Sequence, residues 1–472
     1  MIHTPPDDPS TESKILSDRE RVYIERYTKQ MRKKQRASEP IWHTAGRWIE
    51  GINRRAIYRF FRLIFQNDEL TSRLDPSKVQ GVFVIPFGGA IGDMLVAIPL
   101  FHAIKRHLPH CKVGTFVTER NKSLLRTDPN VDEVFAVRDK RSFKNIREII
   151  RARRSGYDVV INMHIHGMTE YGLIANAISP RGTKVSWTHA RGKLYRTLFN
   201  KLIPYDRDSM QEAQMGLLML ESIISMERPI EQWETRPSVV ISEDTRKSVT
   251  KKIRDTLNGL GASWYIHFNL QARNPQREWG LDNVVNFTKR FVEYYAYGAI
   301  FFSASPIMRL SIEKRIEELA LPRAIFFPTS FDLHEVAVLT GNSKLVITPD
   351  TAITHLASAS HRPVIVLHPS VPNLSLEWTA LQVPSFNLAP SSPEMSASAI
   401  PVDEVWEAMC RLMEQEWSST STTIGLNPEA DVLFQQSNET ESLTSLIDRS
   451  HVPRVFEKDR KVSVAPSTVQ VS

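Results

Sequence analysis

A chain of 472 residues, 41% hydrophobic and 24% charged, has the make-up of an ordinary globular protein with room for two or three domains. Its two cysteines, Cys111 and Cys410, exclude a disulfide framework and a cysteine-based zinc site, and they suit a reducing compartment. The net charge of +7 comes from one stretch, since residues 11–73 hold 15 basic against 8 acidic side chains; this argues for a basic appendage on a near-neutral body and against a nucleic-acid-binding body.

The opening MIHTPPDDPS is polar and acidic, with no apolar signal core, so cytoplasmic residence is expected. Residues 1–78 form an N-terminal extension that reads as charged helix, RERVYIERYTKQMRKKQR and then RRAIYRFFRLIFQ, with a turn around Pro40 between them. In the second helix Arg55, Arg59 and Arg62 share a face, while Ile57, Phe60, Phe61, Ile64 and Phe65 cover the rest. Such a helix suits an anionic membrane surface or an apolar face of its own protein, and both readings stay open.

Residues 81–101, GVFVIPFGGAIGDMLVAIPLF, are long enough to span a bilayer, yet their contents argue otherwise. Two prolines and a glycine pair interrupt the run, and Asp93 at mid-bilayer would cost about 2.5 to 3.5 kcal/mol. A buried parallel strand, a glycine turn and a helix opening near Asp93 account for every residue. Beyond it, GVFVIPF, KVGTFVT, EVFAV, DVVINM, WYIHFNL, GAIFFSA, AIFFP, KLVITP and PVIVLHP read as strands separated by helix-like stretches such as NVVNFTKRFVEYY. That alternation predicts an α/β chain of two Rossmann-like doubly wound domains, over 79–245 and 246–416, with the break between about 236 and 261. Residues 417–472 are Ser/Thr-rich with scattered charge and are expected to be a disordered tail.

Ligands of doubly wound sheets bind beyond the carboxyl ends of the strands. Two loops there follow an apolar strand and open a helix: PFGGAIGD, with Gly88, Gly89, Gly92 and Asp93, and TPDTAITH, with Asp350, Thr351, Ala352 and His355. Facing each other across a cleft, they would gather backbone N–H groups and these side chains into one site. His164 and His166 form an H-x-H pair after a strand; no further ligand is evident nearby, so cleft lining or packing is the expected role and no metal site is assigned.

The segment from Val82 to Phe135, VFVIPFGGAIGDMLVAIPLF and onward to NVDEVF, resembles the opening of the lipopolysaccharide heptosyltransferases, glycosyltransferase family nine. YDVVINMHIHG, QREWGLDNVVNFTKRF and KLVITPDTAITHLASASHRPVIVLHPS match the same family in order, covering about residues 80 to 410. The resemblance implies a GT-B fold whose first domain binds acceptor and whose second binds nucleotide sugar. It implies inverting sugar transfer without an obligatory metal or other cofactor, with ADP-heptose the usual donor and a lipopolysaccharide-core or other surface-glycan acceptor, at the inner face of the cytoplasmic membrane. Asp93 matches the family's general base, Asp350, Thr351 and His355 its donor loop, and Arg277 the lysine of a K-x-W phrase completed by Trp279. Each also has a plainer reading: helix cap for Asp93, packed histidine for His355, surface ion pair for Arg277.

Two departures leave the donor open. Ala352 stands where the family has glycine, and LHPSVP (367–372) lacks the glycine and acid of a GPTDP-like loop. A nucleotide-sugar epimerase, or an inactive member with a scaffolding role, are the alternative functions.

Overall fold

The computed structural model describes residues 59–65, 67–137, 145–164, 168–188, 195–204, 210–226, 232–270, 272, 274–304, 306–327, 332–369, 379–391 and 396–419. The chain divides into two compact units, residues 1–66 and 67–472. Of the first, residues 59–64 are helical; Phe60, Leu63 and Ile64 are exposed, and the Phe61 and Phe65 rings lie 5.7 Å apart. Residues 1–58 of the basic extension, and the expected tail beyond Ser419, lie outside the described residues. Residues 67–78, expected as part of the helical extension, belong instead to the second unit, where Leu70 N–H donates to the Asn200 carbonyl and Asn67 Nδ2 to Asn176 Oδ1, and residues 417–419, expected to open the disordered tail, end a helix.

The second unit carries two six-stranded parallel sheets. The first contains β1 (Gly81–Ile85), β2 (Lys112–Val117), β3 (Glu133–Ala136), β4 (Val159–Asn162), β5 (Thr183–Thr188) and β6 (Lys201–Pro204), in the order β3-β2-β1-β4-β5-β6. The second contains β7 (Trp264–Asn269), β8 (Gly298–Ser303), β9 (Ala324–Phe326), β10 (Val346–Pro349), β11 (Val364–Leu367) and β12 (Ser385–Leu388), in the order β12-β11-β10-β7-β8-β9. Counted within each domain the two orders are the same, the doubly wound pattern in which strand order reverses between the first and fourth strands. All five residues of β1 are buried, as a strand covered by helices on both faces requires. The two sheets, with helices between their strands, form a GT-B-like architecture. Three strands were not evident in the sequence: β5, β6 and β12.

The run 81–101 is β1, a turn over residues 86–90, and helix α1 (Ile91–His107). No described helix is long and apolar enough to cross a membrane. Three further helices of the first domain are α2 (Lys122–Arg126), α3 (Ile146–Ser155) and α4 (Met168–Ile178); α5 (Glu212–Glu221) packs on α1. The second domain adds α6 (Glu243–Leu260), α7 (Leu281–Tyr294), α8 (Pro306–Glu318), α9 (Leu333–Gly341), α10 (Ala352–Ala359) and α11 (Val402–Ser419). Helix α1 also packs on α10 across the domains, and one apolar cluster joins Met94, Leu95 and Ile98 of α1 with Val336, Ala337 and Leu356. This seam brings the start of α1 against the start of α10.

Candidate active site

The first-domain loop leaves β1 at its carboxyl end and turns into α1 through a cap at Ala90. Asp93, third residue of α1, accepts a hydrogen bond from the Ala90 N–H through Oδ2 at 3.1 Å, closing the first turn on itself. The capping reading of Asp93 is therefore real, although Asp93 sits inside the helix rather than at its boundary. A side chain on Gly88 would run into Asp93 Oδ2, so Gly88 is the residue that gives this carboxylate its room. Gly89 is held through its carbonyl, which accepts from Thr118 Oγ1 at 3.0 Å and from Asn121 Nδ2 at 3.4 Å; buried Asn121 in turn accepts from the Thr118 N–H at 2.7 Å. Residues leaving β2 thus anchor the turn after β1.

The second-domain loop leaves β10, next to β7 and hence at its own sheet's reversal point. Thr351 caps α10, its hydroxyl accepting from the Ile353 N–H at 3.3 Å. That hydroxyl is held by Asn269 Nδ2 at 3.3 Å and lies 3.0 Å from Thr348 Oγ1, while Asn269 Nδ2 also donates to Thr348 at 2.9 Å. Behind them Ser303 donates to Asn269 Oδ1 at 3.2 Å and meets His267 Nε2 at 2.9 Å, and His267 Nδ1 lies 3.2 Å from Thr340 Oγ1. A polar rail from the ends of β7, β8 and β10 therefore supports the loop. None of its members was singled out in the sequence, where they appear only as polar interruptions in apolar strands.

Arg277 rides on a short turn, Pro275–Arg277, capped by the side chain of Asn274. Its Nη1 lies 3.1 Å from Asp350 Oδ2 and donates to the Asp350 carbonyl at 2.9 Å, so the ion-pair reading of Arg277 is also real, with Asp350 as its partner. Both contacts use Nη1, which leaves Nε–H and the Nη2 N–H groups for a ligand. Trp279 is buried on Phe268 and Phe287 and donates to the Ile400 carbonyl at 2.9 Å; it seats the turn in the core rather than touching the loop. Gly280 follows at φ +87°, a backbone conformation that glycine adopts without strain.

His355 is buried in the second turn of α10, and burial lowers its pKa to about 4 against the opposing charge of Asp350, so the ring is neutral at pH 7. The two loops meet at Gly92: a Cβ there would lie 3.6 Å from His355 Cδ2 and 3.7 Å from Ala352 Cα. Ala352 is half-buried on the apolar seam, and its methyl packs where the two helices approach. In place of the family's glycine, this methyl fills an interdomain contact.

A further residue, His368, follows β11 at the same end of the sheet. It is buried, its Nε2 lies 3.2 Å from Asn387 Oδ1, and burial depresses its pKa, with Asp350 and Asn387 opposing and Arg277 reinforcing the shift. The sequence marked this position only as the place of a missing glycine. His164 stacks on Tyr171 with ring centroids 4.0 Å apart, and His166 lies outside the described residues. Among the described residues no group of three His, Cys, Asp or Glu side chains has metal-holding geometry.

The structure therefore sets Gly92 against Ala352 and His355, with Gly88, Gly89 and Asp93 in the turn that leads into the same helix, and it joins Arg277 to Asp350 just ahead of Thr351 and Ala352. The family model for glycosyltransferase family 9 (heptosyltransferase) matches residues 146–376. Lipopolysaccharide heptosyltransferase 1 of Campylobacter coli is 21% identical over 294 residues, 60% of this chain and 82% of that protein. Lipopolysaccharide heptosyltransferase 3 of Escherichia coli is 21% identical over 367 residues, 70% of this chain and 98% of that protein. Among solved structures, a family 9 glycosyltransferase from Veillonella parvula superposes with a TM-score of 0.60 at 20% identity, covering 73% of this chain and 100% of that one. Escherichia coli ADP-heptose LPS heptosyltransferase II gives 0.54 at 18% identity, over 71% and 99%. An Escherichia coli heptosyltransferase holding ADP-2-deoxy-2-fluoro heptose gives 0.52 at 16% identity, over 70% and 99%. With two matching doubly wound sheets, loops meeting at both reversal points and the family 9 match over residues 146–376, the chain is a glycosyltransferase similar in sequence and fold to glycosyltransferase family 9, the heptosyltransferases.

Proposed function

We propose that this enzyme moves a sugar, heptose in first place, from a nucleotide-sugar donor such as ADP-heptose to a lipopolysaccharide-core or other surface-glycan acceptor, with inversion and with no required metal or cofactor. The observation that carries this reading is the contact of Gly92 with Ala352 and His355, because it sets the turn bearing Asp93 against the start of the helix that follows Asp350, whose carboxylate holds Arg277. Relatives named for lipopolysaccharide heptosyl transfer, and a solved relative holding an ADP-heptose analogue, support the same donor and acceptor.

In the reaction so proposed, the acceptor hydroxyl oxygen attacks the anomeric carbon as the bond to the diphosphate breaks, and Asp93 takes the hydroxyl proton. The departing nucleoside diphosphate carries away negative charge. Arg277 offers its remaining N–H groups to it, and the N-terminus of α10 offers the N–H groups of Thr351 and Ala352, which have no partner among the described residues. Two such donors and a guanidinium supply the charge stabilisation that a divalent cation supplies elsewhere. Asp350 holds the guanidinium in place. The enzyme would act on the cytoplasmic side of the inner membrane, with the basic extension near the anionic surface; Phe60, Leu63 and Ile64, exposed on their helical segment, suit that setting.

A thermal-shift screen over ADP-, UDP-, GDP- and CMP-sugars tests the donor. Saturation at a hundredfold over Kd stabilises by about 2.7 kcal/mol, so the true donor stands out. Analysis of the same mixtures for free epimerised sugar separates transfer from epimerisation.

A further inference from the structure

The body's near-zero net charge conceals a local excess. Residues 138–155, RDKRSFKNIREIIRARRS, contain eight Lys or Arg and two acids. The described part of this stretch is α3, which follows the edge strand β3. At 100° per residue, Ile146 and Ile150 lie side by side on one face of α3, with Arg153 on one flank and Arg154 and Arg147 on the other. Ile146 is 54% exposed and Ile150 is 43% exposed. Arg147, Arg153 and Arg154 are exposed too, and none of them has an ion-pair partner among the described residues. Arg151 differs. It pairs with Glu148 at 2.6 Å and lies over the Phe135 ring at 5.3 Å, so the helix's one acid is neutralised and the outward face is left purely basic and apolar. Ala152 is the position by which α3 seats on the domain.

We infer that this outer face of α3 is a docking surface for an anionic lipid bilayer, separate from the basic N-terminal extension. Charge complementarity selects the partner. Three unpaired arginines attract anionic headgroups, and two adjacent isoleucines between them gain from entering the acyl boundary, where a nucleic acid would leave them in water. The sheet is parallel, so the loop entering α3 leaves β3 at the same end as the Asp93 turn leaves β1. Docking by the start of α3 would hold the cleft of the acceptor-binding domain beside the membrane, where a lipid-linked acceptor resides. The docking itself does not depend on which sugar is transferred.

The test is sedimentation of the full-length enzyme with vesicles of phosphatidylglycerol and phosphatidylcholine, against vesicles of phosphatidylcholine alone. Each arginine near an anionic surface contributes roughly fivefold in partition, so Arg147→Gln/Arg153→Gln/Arg154→Gln should lower binding to the anionic vesicles by about a hundredfold. Ile146→Ser/Ile150→Ser should lower it by about tenfold and remove the part that survives high salt. Both variants keep the N-terminal extension, and both should keep the wild-type melting temperature and donor-induced thermal shift; a donor shift lost in the wild type too would count against the proposed transfer reaction and not against docking. Unchanged partition of either folded variant would overturn the inference and assign membrane binding to the extension. So would wild-type self-association by light scattering that both variants abolish while vesicle binding stays equal, since the face would then be a contact between copies.

Discussion

Gly88→Ala separates the two roles that Asp93 can play. Gly88 does not have a positive φ, so the backbone tolerates alanine; the obstacle is the Asp93 carboxylate, which a methyl at this position would overlap. To make room Asp93 must swing away and give up the Ala90 N–H at 3.1 Å. A hydrogen bond to a charged group contributes about 1.5 to 3 kcal/mol, and the partial exposure of this one puts the loss near the lower end. In a chain of this size that is a fall of only a few degrees in Tm. Turnover should drop far more, by about 10² to 10⁴, if the displaced carboxylate is the base. Asp93→Asn is the companion variant: its amide oxygen can still accept from Ala90, so Tm should hardly move while turnover falls over the same range and donor affinity stays level. Calorimetric donor Kd, a differential-scanning Tm and steady-state kcat on both variants give the answer. A lowered Tm with kcat preserved in Gly88→Ala, or full turnover in Asp93→Asn, would leave Asp93 as a helix cap and refute the reasoning.

Arg277→Ala and Asp350→Ala should each weaken donor binding at least tenfold by isothermal calorimetry, the first by removing the guanidinium and the second by releasing it; wild-type affinity in both would move the donor elsewhere. Ala352→Gly should cost about 1 kcal/mol of stability from the lost methyl and the freer backbone, with donor Kd changed less than threefold; a large affinity change would put the methyl in the donor pocket. His267 and His355 are held neutral by burial, at pKa values of about 3 and about 4 against about 6.5 unfolded. Unfolding therefore takes up a proton at each, their contribution is complete above pH 6.5, and it is lost as pH falls toward 4, at about 1.4 kcal/mol per pH unit per histidine. Urea unfolding from pH 7 to 5 should show that slope and His267→Gln should reduce it; an unchanged slope would mean the ring titrates normally.

Nine strands were legible because a parallel strand buried on both faces reads as an unbroken apolar run, as GVFVI and LVITP do. TKVSWT was not legible. Its polar residues are satisfied by tertiary partners, with Lys184 Nζ donating to the Pro180 carbonyl and Asn162 Nδ2 to Ser186 Oγ, and a linear reading sees no partners. KLIP and SFNL are short edge strands whose pairing is decided by β5 and β11. In the site, Asp93 and Asp350 were visible because each follows a strand and opens a helix. The rail of His267, Asn269, Ser303, Thr340 and Thr348 was not, since its hydrogen bonds join residues 34 to 79 positions apart. The amphipathic face of α3 was hidden for another reason: summing charge over the whole body averages a local basic helix away.

The most direct measurement of the central claim is mass spectrometry of a heptose-deficient lipopolysaccharide core after incubation with ADP-heptose and enzyme, with and without EDTA. The expected result is an acceptor heavier by one heptose residue, formed equally in both, with the product lowered at least a hundredfold in Asp93→Asn. An acceptor of unchanged mass while the donor is consumed, or transfer that EDTA abolishes, would contradict it.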